Sequence, residues 1–180
     1  MLHEKIIFAG FGGQGVISAG KLLAIAAMKE GKEVSHIPSY GAEMRGGTAN
    51  CAVVIADDPI ASAIVHKPTI CIVLNEPSLD KFEPLIQEGG VLIYNSSKIN
   101  RKPVRTDITV YEVPCNDISE SNGSIRAANM AAIGALLKVK PKLASLESMN
   151  TALYEGISER NHKHNPINIK VIEEGYKFIN

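Results

Sequence analysis

The sequence predicts an α/β fold with a doubly wound, mostly parallel sheet in a single domain. Short apolar segments of strand length alternate with segments of helix length along the whole chain. A glycine-rich turn directly follows the first apolar segment. The length of 180 residues suits one compact domain, so we treat 1–180 as a single unit.

The first third of the chain predicts three strands, one helix and a weaker fourth strand. An apolar run at 5–9 that ends in glycines predicts a buried strand. Small and apolar residues recur on one face of 16–30, which predicts a helix that lies close to the sheet. Apolar runs at 33–37 and 49–55 predict the next two strands. An Asp-Asp-Pro turn then introduces 60–65, where we expect a short antiparallel strand.

The rest of the chain continues the alternation. The run at 69–74 is the clearest buried strand, because every residue after its first is apolar. A proline in the first turn and a Gly-Gly pair after the last turn predict a helix at 77–86. The same criteria predict strands at 91–94 and 108–113, and helices at 124–138, 145–159 and from 165 onward.

Charge and cysteine content disfavour several classes of protein. The 19 basic and 19 acidic residues balance and form no basic stripe, which disfavours nucleic-acid binding. The longest apolar runs have the length of strands, so we expect no membrane span. Cys51, Cys71 and Cys115 lie far apart, which predicts buried thiols and no iron–sulfur or zinc site. The first residues lead into a strand and not into a signal peptide, so we expect a cytoplasmic protein.

The glycine loop, residues 10–15, is the first candidate site. Gly10, Gly12 and Gly15 match the dinucleotide-binding fingerprint in spacing, and they stand between a strand and a helix as in Rossmann-like folds. Free N–H groups at the start of that helix suit an anion. No acidic residue at 35–38 is available for a ribose, which disfavours a nicotinamide cofactor. A phosphate, another subunit's backbone or an empty tight turn remain as alternatives.

The second candidate site is the loop at 39–48, which follows the second predicted strand. Tyr40, Glu43 and Arg45 stand there among three glycines. The guanidinium of Arg45 could hold a carboxylate or phosphate through two parallel hydrogen bonds. The alternative is a solvated surface loop in which Glu43 and Arg45 pair with each other.

Three segments together resemble the gamma subunit of 2-oxoacid:ferredoxin oxidoreductases: the glycine loop, the segment 38–50 and the segment 74–78. The similarity covers essentially the whole chain, and 38–50 is its most specific part. It looks closest to the 2-oxoglutarate type, with the pyruvate and branched-chain types as alternatives.

The resemblance implies that this chain works in a complex with alpha and beta subunits, and often a delta subunit. Without those subunits we expect the chain to be inactive. Such a complex uses thiamine diphosphate, Mg²⁺, iron–sulfur clusters and coenzyme A, and makes acyl-CoA, CO2 and reduced ferredoxin. The resemblance places the thiamine diphosphate and the clusters on other subunits, so we expect none of these cofactors on this chain. The gamma subunit would supply a binding and interface surface near the coenzyme A site. The candidate cofactor-binding residues are Gly10, Gly12, Gly13, Gln14, Gly15, Tyr40, Glu43 and Arg45, and we predict no catalytic or metal-ligating residue.

Two other functions stay open. The chain could be a stand-alone nucleotide-binding oxidoreductase, which the missing acidic residue disfavours. It could also be a purely structural scaffold between catalytic subunits, with the glycine loop empty. Binding of NAD(H) by the purified chain would indicate the first, and binding of no phosphate ligand would indicate the second.

Overall fold

A computed structural model describes residues 1–40 and 48–180 of the chain. Within these residues there are six β-strands, six α-helices and two short 3₁₀ helices at Glu83–Leu85 and Glu159–His164. The strands and α-helices are, in chain order, β1 (His3–Phe11), α1 (Val16–Lys29), β2 (Glu33–Tyr40), β3 (Thr48–Ala56), β4 (Ile70–Val73), α2 (Glu76–Phe82), β5 (Val91–Asn95), β6 (Thr109–Val113), α3 (Cys115–Ser121), α4 (Ala128–Val139), α5 (Leu146–Gly156) and α6 (Asn165–Phe178).

The strands form one sheet in the order β2-β3-β1-β4-β5-β6. The pairs β1–β4, β4–β5 and β5–β6 are parallel. Strand β3 is antiparallel to both of its neighbours, β1 and β2. Of the six strands in the described residues, β3 alone therefore runs in the opposite direction, and the predicted mostly parallel α/β sheet is confirmed.

Both faces of the sheet are buried, and this explains why its central strands are continuously apolar. In β4, Ile70 and Ile72 enter a large core that also contains residues of α1, α4, α5 and α6. Cys71 and Val73 point to the opposite face and enter a smaller core with Leu79 of α2. The alternation follows from the two-residue period of a strand, and it places helices on both sides of the sheet.

Two local predictions differ from the structure. Residues 60–65 form no strand: the whole connection from 57 to 69 is irregular, and Ile64 is exposed. The antiparallel strand of the sheet is β3 instead. Helix α3 was not predicted, because Ile118 is the only large apolar residue in its Cys115–Ser121 sequence. Tertiary hydrogen bonds hold α3 in place, including one from Cys115 N–H to Asn95 Oδ1 (3.1 Å).

The interpretation of the cysteines as buried thiols is confirmed. Cys51, Cys71 and Cys115 are all free and buried. Burial raises the pKa of the Cys51 and Cys115 thiols to about 12 and also raises the pKa of Cys71. These thiols are therefore protonated at neutral pH and behave as small apolar side chains.

None of the helices in the described ranges is both long enough and apolar enough to cross a membrane.

Candidate functional site

The glycine loop and the end of β2 lie at the same edge of the sheet. Strand β2 runs parallel to β1, because both are antiparallel to β3. In the register, Tyr40 pairs with Ala49, and Ala49 pairs with Gly10 on its other side. This edge holds the carboxyl ends of five strands, where open α/β folds bind their ligands.

Two glycines of the loop have backbone conformations that disfavour other residues. Gly13 has φ of 92° and Gly15 has φ of 71°, both in the left-handed region. Gly15 is the N-cap of α1 and makes no side-chain cap. The first-turn N–H groups of α1 therefore receive no acceptor from their N-cap residue, and an anion could supply one.

Gly10 packs closely against side chains of its own loop and of α1. A Cβ atom on Gly10 would lie 2.6 Å from Gln14 Oε1 and 3.0 Å from Val16 Cγ1. Because Oε1 is the end of a flexible side chain, a Cβ atom at Gly10 would displace the Gln14 amide from its hydrogen bond to the Phe11 N–H. Gly12 is exposed at the outer side of the loop.

The side chain of Gln14 holds the loop in place. Its Oε1 accepts a hydrogen bond from the Phe11 N–H (2.6 Å), and its Nε2 donates to the carbonyl oxygen of Leu74 (3.3 Å). Both ends of the amide are thus engaged within the fold, which ties the loop to the end of β4. A direct contact between Gln14 and a ligand stays a prediction, whereas its contact with β4 is observed.

The other candidate residues belong to the β2–β3 connection. Tyr40 is the last residue of β2 and is 63% exposed, so its ring is available to a ligand or a partner. Phe11, at the end of β1, is also exposed. Glu43 and Arg45 lie outside the described residues, and their predicted roles stay predictions.

Sequence reasoning missed two buried asparagines that support this edge. Asn129, at the start of α4, donates from Nδ2 to the carbonyl oxygen of Gly15 (3.0 Å). Asn95, at the end of β5, is fully buried and donates to the carbonyl oxygen of Leu74 (3.4 Å), the same atom that Gln14 contacts. A polar residue directly after a buried apolar run was the available signal for Asn95.

The histidine nearest to the start of α1 has a structural contact. Nε2 of His36 lies 3.2 Å from the carbonyl oxygen of Ile17, and the ring is half-buried. Burial lowers the pKa of His36, so its neutral form is favoured. Within 1–40 and 48–180, no three His, Cys, Asp or Glu side chains come together as a metal site would require.

Comparison with known proteins identifies related sequences over nearly the whole chain. A family model described as pyruvate ferredoxin/flavodoxin oxidoreductase matches residues 5–178. Over 95% of its length, the chain is 36% identical to ketoisovalerate oxidoreductase subunit VorA of Methanothermobacter marburgensis, of which it covers 35%. It is also 33% identical, over 98% of its length, to 2-oxoglutarate synthase subunit KorC of Methanocaldococcus jannaschii, of which it covers 94%. The chain therefore spans about a third of the VorA relative and nearly all of the KorC relative.

A solved structure shows the same fold. The gamma subunit of a keto/oxoacid ferredoxin oxidoreductase from Geobacter sulfurreducens superimposes with a TM-score of 0.85 and is 27% identical in sequence. The match covers 98% of this chain and 96% of that one.

Proposed function

Because the chain belongs to the pyruvate ferredoxin/flavodoxin oxidoreductase family, we propose that it is the gamma subunit of a 2-oxoacid:ferredoxin oxidoreductase. The match over residues 5–178 is the observation that carries this proposal. It leaves no long segment of the chain for another activity, and 1–180 is then one gamma-type domain.

The proposed complex oxidatively decarboxylates a 2-oxoacid, transfers the acyl group to coenzyme A and passes the electrons to ferredoxin. Thiamine diphosphate with Mg²⁺ supplies the decarboxylation chemistry when bound, and we assign it and the iron–sulfur clusters to the alpha, beta and delta subunits. The three cysteines of this chain are buried and mutually separate, so they offer no cluster ligands. Buried free thiols also agree with a reducing, cytoplasmic location.

The 2-oxoacid is the less defined part of the proposal. Relatives of similar identity carry ketoisovalerate and 2-oxoglutarate in their names. We favour 2-oxoglutarate because the chain as a whole looks closest to that type. Substrate selection would be a property of the alpha and beta subunits.

For this chain we propose a surface that helps to bind coenzyme A and to contact the other subunits. The glycine loop, Tyr40 and the start of α1 meet at the carboxyl edge of the sheet. This edge offers backbone N–H groups to a phosphate and exposed aromatic rings to a partner. Arg45, which follows β2 in sequence, would add a positive charge beside them.

Reconstitution tests the proposed function. The purified chain should show no 2-oxoacid:ferredoxin activity, and activity should appear when alpha and beta chains are added. Turnover by the chain alone, or stoichiometric binding of NAD(H), would favour the stand-alone oxidoreductase. Full activity of an alpha–beta complex that lacks this chain would exclude a required role.

Arg45→Ala should raise the apparent KM for coenzyme A by roughly 10- to 150-fold in the reconstituted complex. A charge-assisted hydrogen bond to a phosphate is worth about 1.5–3 kcal/mol, which gives that range. The KM for the 2-oxoacid should change little, because Arg45 is assigned to coenzyme A alone. The measurement is steady-state kinetics on complexes that size-exclusion chromatography shows to be intact.

Lys67→Ala is the control for that measurement. Lys67 is exposed beside the start of β4, at the opposite edge of the sheet, so its removal should leave both KM values unchanged. If Arg45→Ala instead loosens the assembly and lowers activity equally at every coenzyme A concentration, Arg45 pairs with a carboxylate. That carboxylate would be Glu43 or one on the alpha subunit, and the coenzyme A role would be rejected.

A further inference from the structure

A cavity whose lining includes no residue of the glycine loop lies between the α3–α4 connection and the start of α6. Its volume is about 600 Å³, within the range of about 300–1,000 Å³ that is usual for small-molecule sites. The connection contributes Ser124, Ile125 and Arg126, and the α6 side contributes His164, Ile167 and Asn168.

The ionisable groups that line this cavity are basic. Arg126 and His164 line it, and no carboxylate from the described part of the chain does. The backbone N–H of Arg126 donates to Ser124 Oγ (3.2 Å), but its guanidinium has no partner among the described residues. The lining therefore has an excess of hydrogen-bond donors on ionisable side chains, which favours an anion.

A buried donor next to the cavity also lacks a partner. Asn165 follows His164 directly and is 0% exposed, yet its Nδ2 has no hydrogen-bond acceptor. Its Oδ1 accepts from Asn168 Nδ2 at 3.5 Å. Asn165 is not among the residues that line the cavity, so its unpaired donor concerns the packing beneath the start of α6 and not the ligand.

Apolar surface at the cavity narrows the class of ligand. Ile125 is 77% exposed, and Ile167 is half-buried on the facing side. An inorganic anion would leave both side chains without a contact, whereas a planar base could pack against them.

We propose that this cavity binds a phosphate-bearing nucleotide. The phosphates contact the guanidinium of Arg126 and the imidazole of His164, and the base lies against Ile125. This site is additional to the proposed coenzyme A surface. The two sites are joined by the start of α4: Arg126 lies two residues before this helix, and Asn129 in its first turn donates to the Gly15 carbonyl oxygen.

Titration of the full-length chain with adenosine diphosphate tests the proposal by amide chemical shifts. The amides of residues 123–126, 164, 165, 167 and 168 should shift and saturate, and those of the glycine loop should shift less. Arg126→Gln should weaken the affinity by about tenfold or more, because a charge-assisted bond to phosphate is lost. Lys67→Gln, which removes one exposed positive charge elsewhere, should leave the affinity unchanged.

One further ligand and one further variant distinguish the phosphate contacts from the base contacts. Pyrophosphate should bind more weakly than adenosine diphosphate, and Ile125→Ser should weaken adenosine diphosphate while leaving pyrophosphate unchanged. Equal affinity of the Arg126→Gln variant, shifts confined to residues 10–15, or no saturation at millimolar ligand would each overturn the proposal. These measurements need no other subunit, so their outcome is independent of the reconstitution test.

Discussion

Gly134→Ala is expected to destabilise the chain by about 2 kcal/mol or more, although alanine is the better helix former. Gly134 lies in the middle of α4. A Cβ atom there would lie 2.0 Å from the carbonyl oxygen of Ile172 and 2.7 Å from the backbone nitrogen of Tyr176, both on α6. Because these are backbone atoms, only movement of a whole helix relieves the clash. Overpacking of this kind typically costs about 1–3 kcal/mol and occasionally more. The gain in helix propensity from alanine is only about 0.5–1 kcal/mol.

Thermal unfolding measures this effect, and the expected fall in Tm is about 4–8 °C. Gly175→Ala should behave alike, because its Cβ would lie 2.1 Å from the Ala131 carbonyl oxygen on α4. Gly156→Ala is the matched control: its nearest contacts are the flexible ends of Leu22 and Ile25. A rise in Tm for Gly134→Ala, as propensity alone predicts, would show that the two helices do not cross this closely.

The central strands could be predicted because they are buried on both faces and so form uninterrupted apolar runs. Strand β4, at Ile70–Val73, lies inside the predicted range of 69–74. The direction of β3 was not predicted, although the chain carries a signal for it. The connection of residues 41–47 between β2 and β3 is too short for a parallel crossover, which needs about a dozen residues. The predicted strand ended at 37 instead of Tyr40, which made the connection, at 38–48, look longer than it is.

At the candidate site, glycine spacing correctly predicted where the chain turns from β1 into α1. The spacing could not show what the side chain of Gln14 does, since its partner Leu74 is 60 residues away in sequence. Asn129 and Asn95 were missed for the same reason: each contributes through a contact that only the folded chain creates. Asn129 contacts a residue 114 positions away. Local patterns thus located the turn, whereas the hydrogen bonds that tie it to the rest of the fold are long-range.

Asn95 makes more hydrogen bonds than Gln14 or Asn129, so we expect its substitution to destabilise the fold most. Its Nδ2 donates to the Leu74 carbonyl oxygen (3.4 Å) and to Asn116 Oδ1 (2.8 Å). Its Oδ1 accepts from the N–H groups of Ser97 (3.3 Å) and Cys115 (3.1 Å). One buried amide thus joins the ends of β4 and β5 to the start of α3. Through the Leu74 carbonyl it is also connected to Gln14 and the glycine loop.

Asn95→Asp should therefore destabilise the chain by about 3 kcal/mol or more at neutral pH, despite its nearly unchanged shape. A carboxylate has no donor for the Leu74 and Asn116 oxygens, and at 0% exposure its charge would be buried without a counter-ion. Burial would raise the folded-state pKa of the new carboxyl above its unfolded value of about 3.9, so the folded state would bind more protons between the two values. Stability of the variant should then recover as pH falls through that interval. Urea unfolding at pH 7 and pH 5 measures the difference, with Asn100→Asp on an exposed residue as the control. A small loss of unfolding free energy that is the same at both pH values would show that this amide network does not hold the edge of the sheet together.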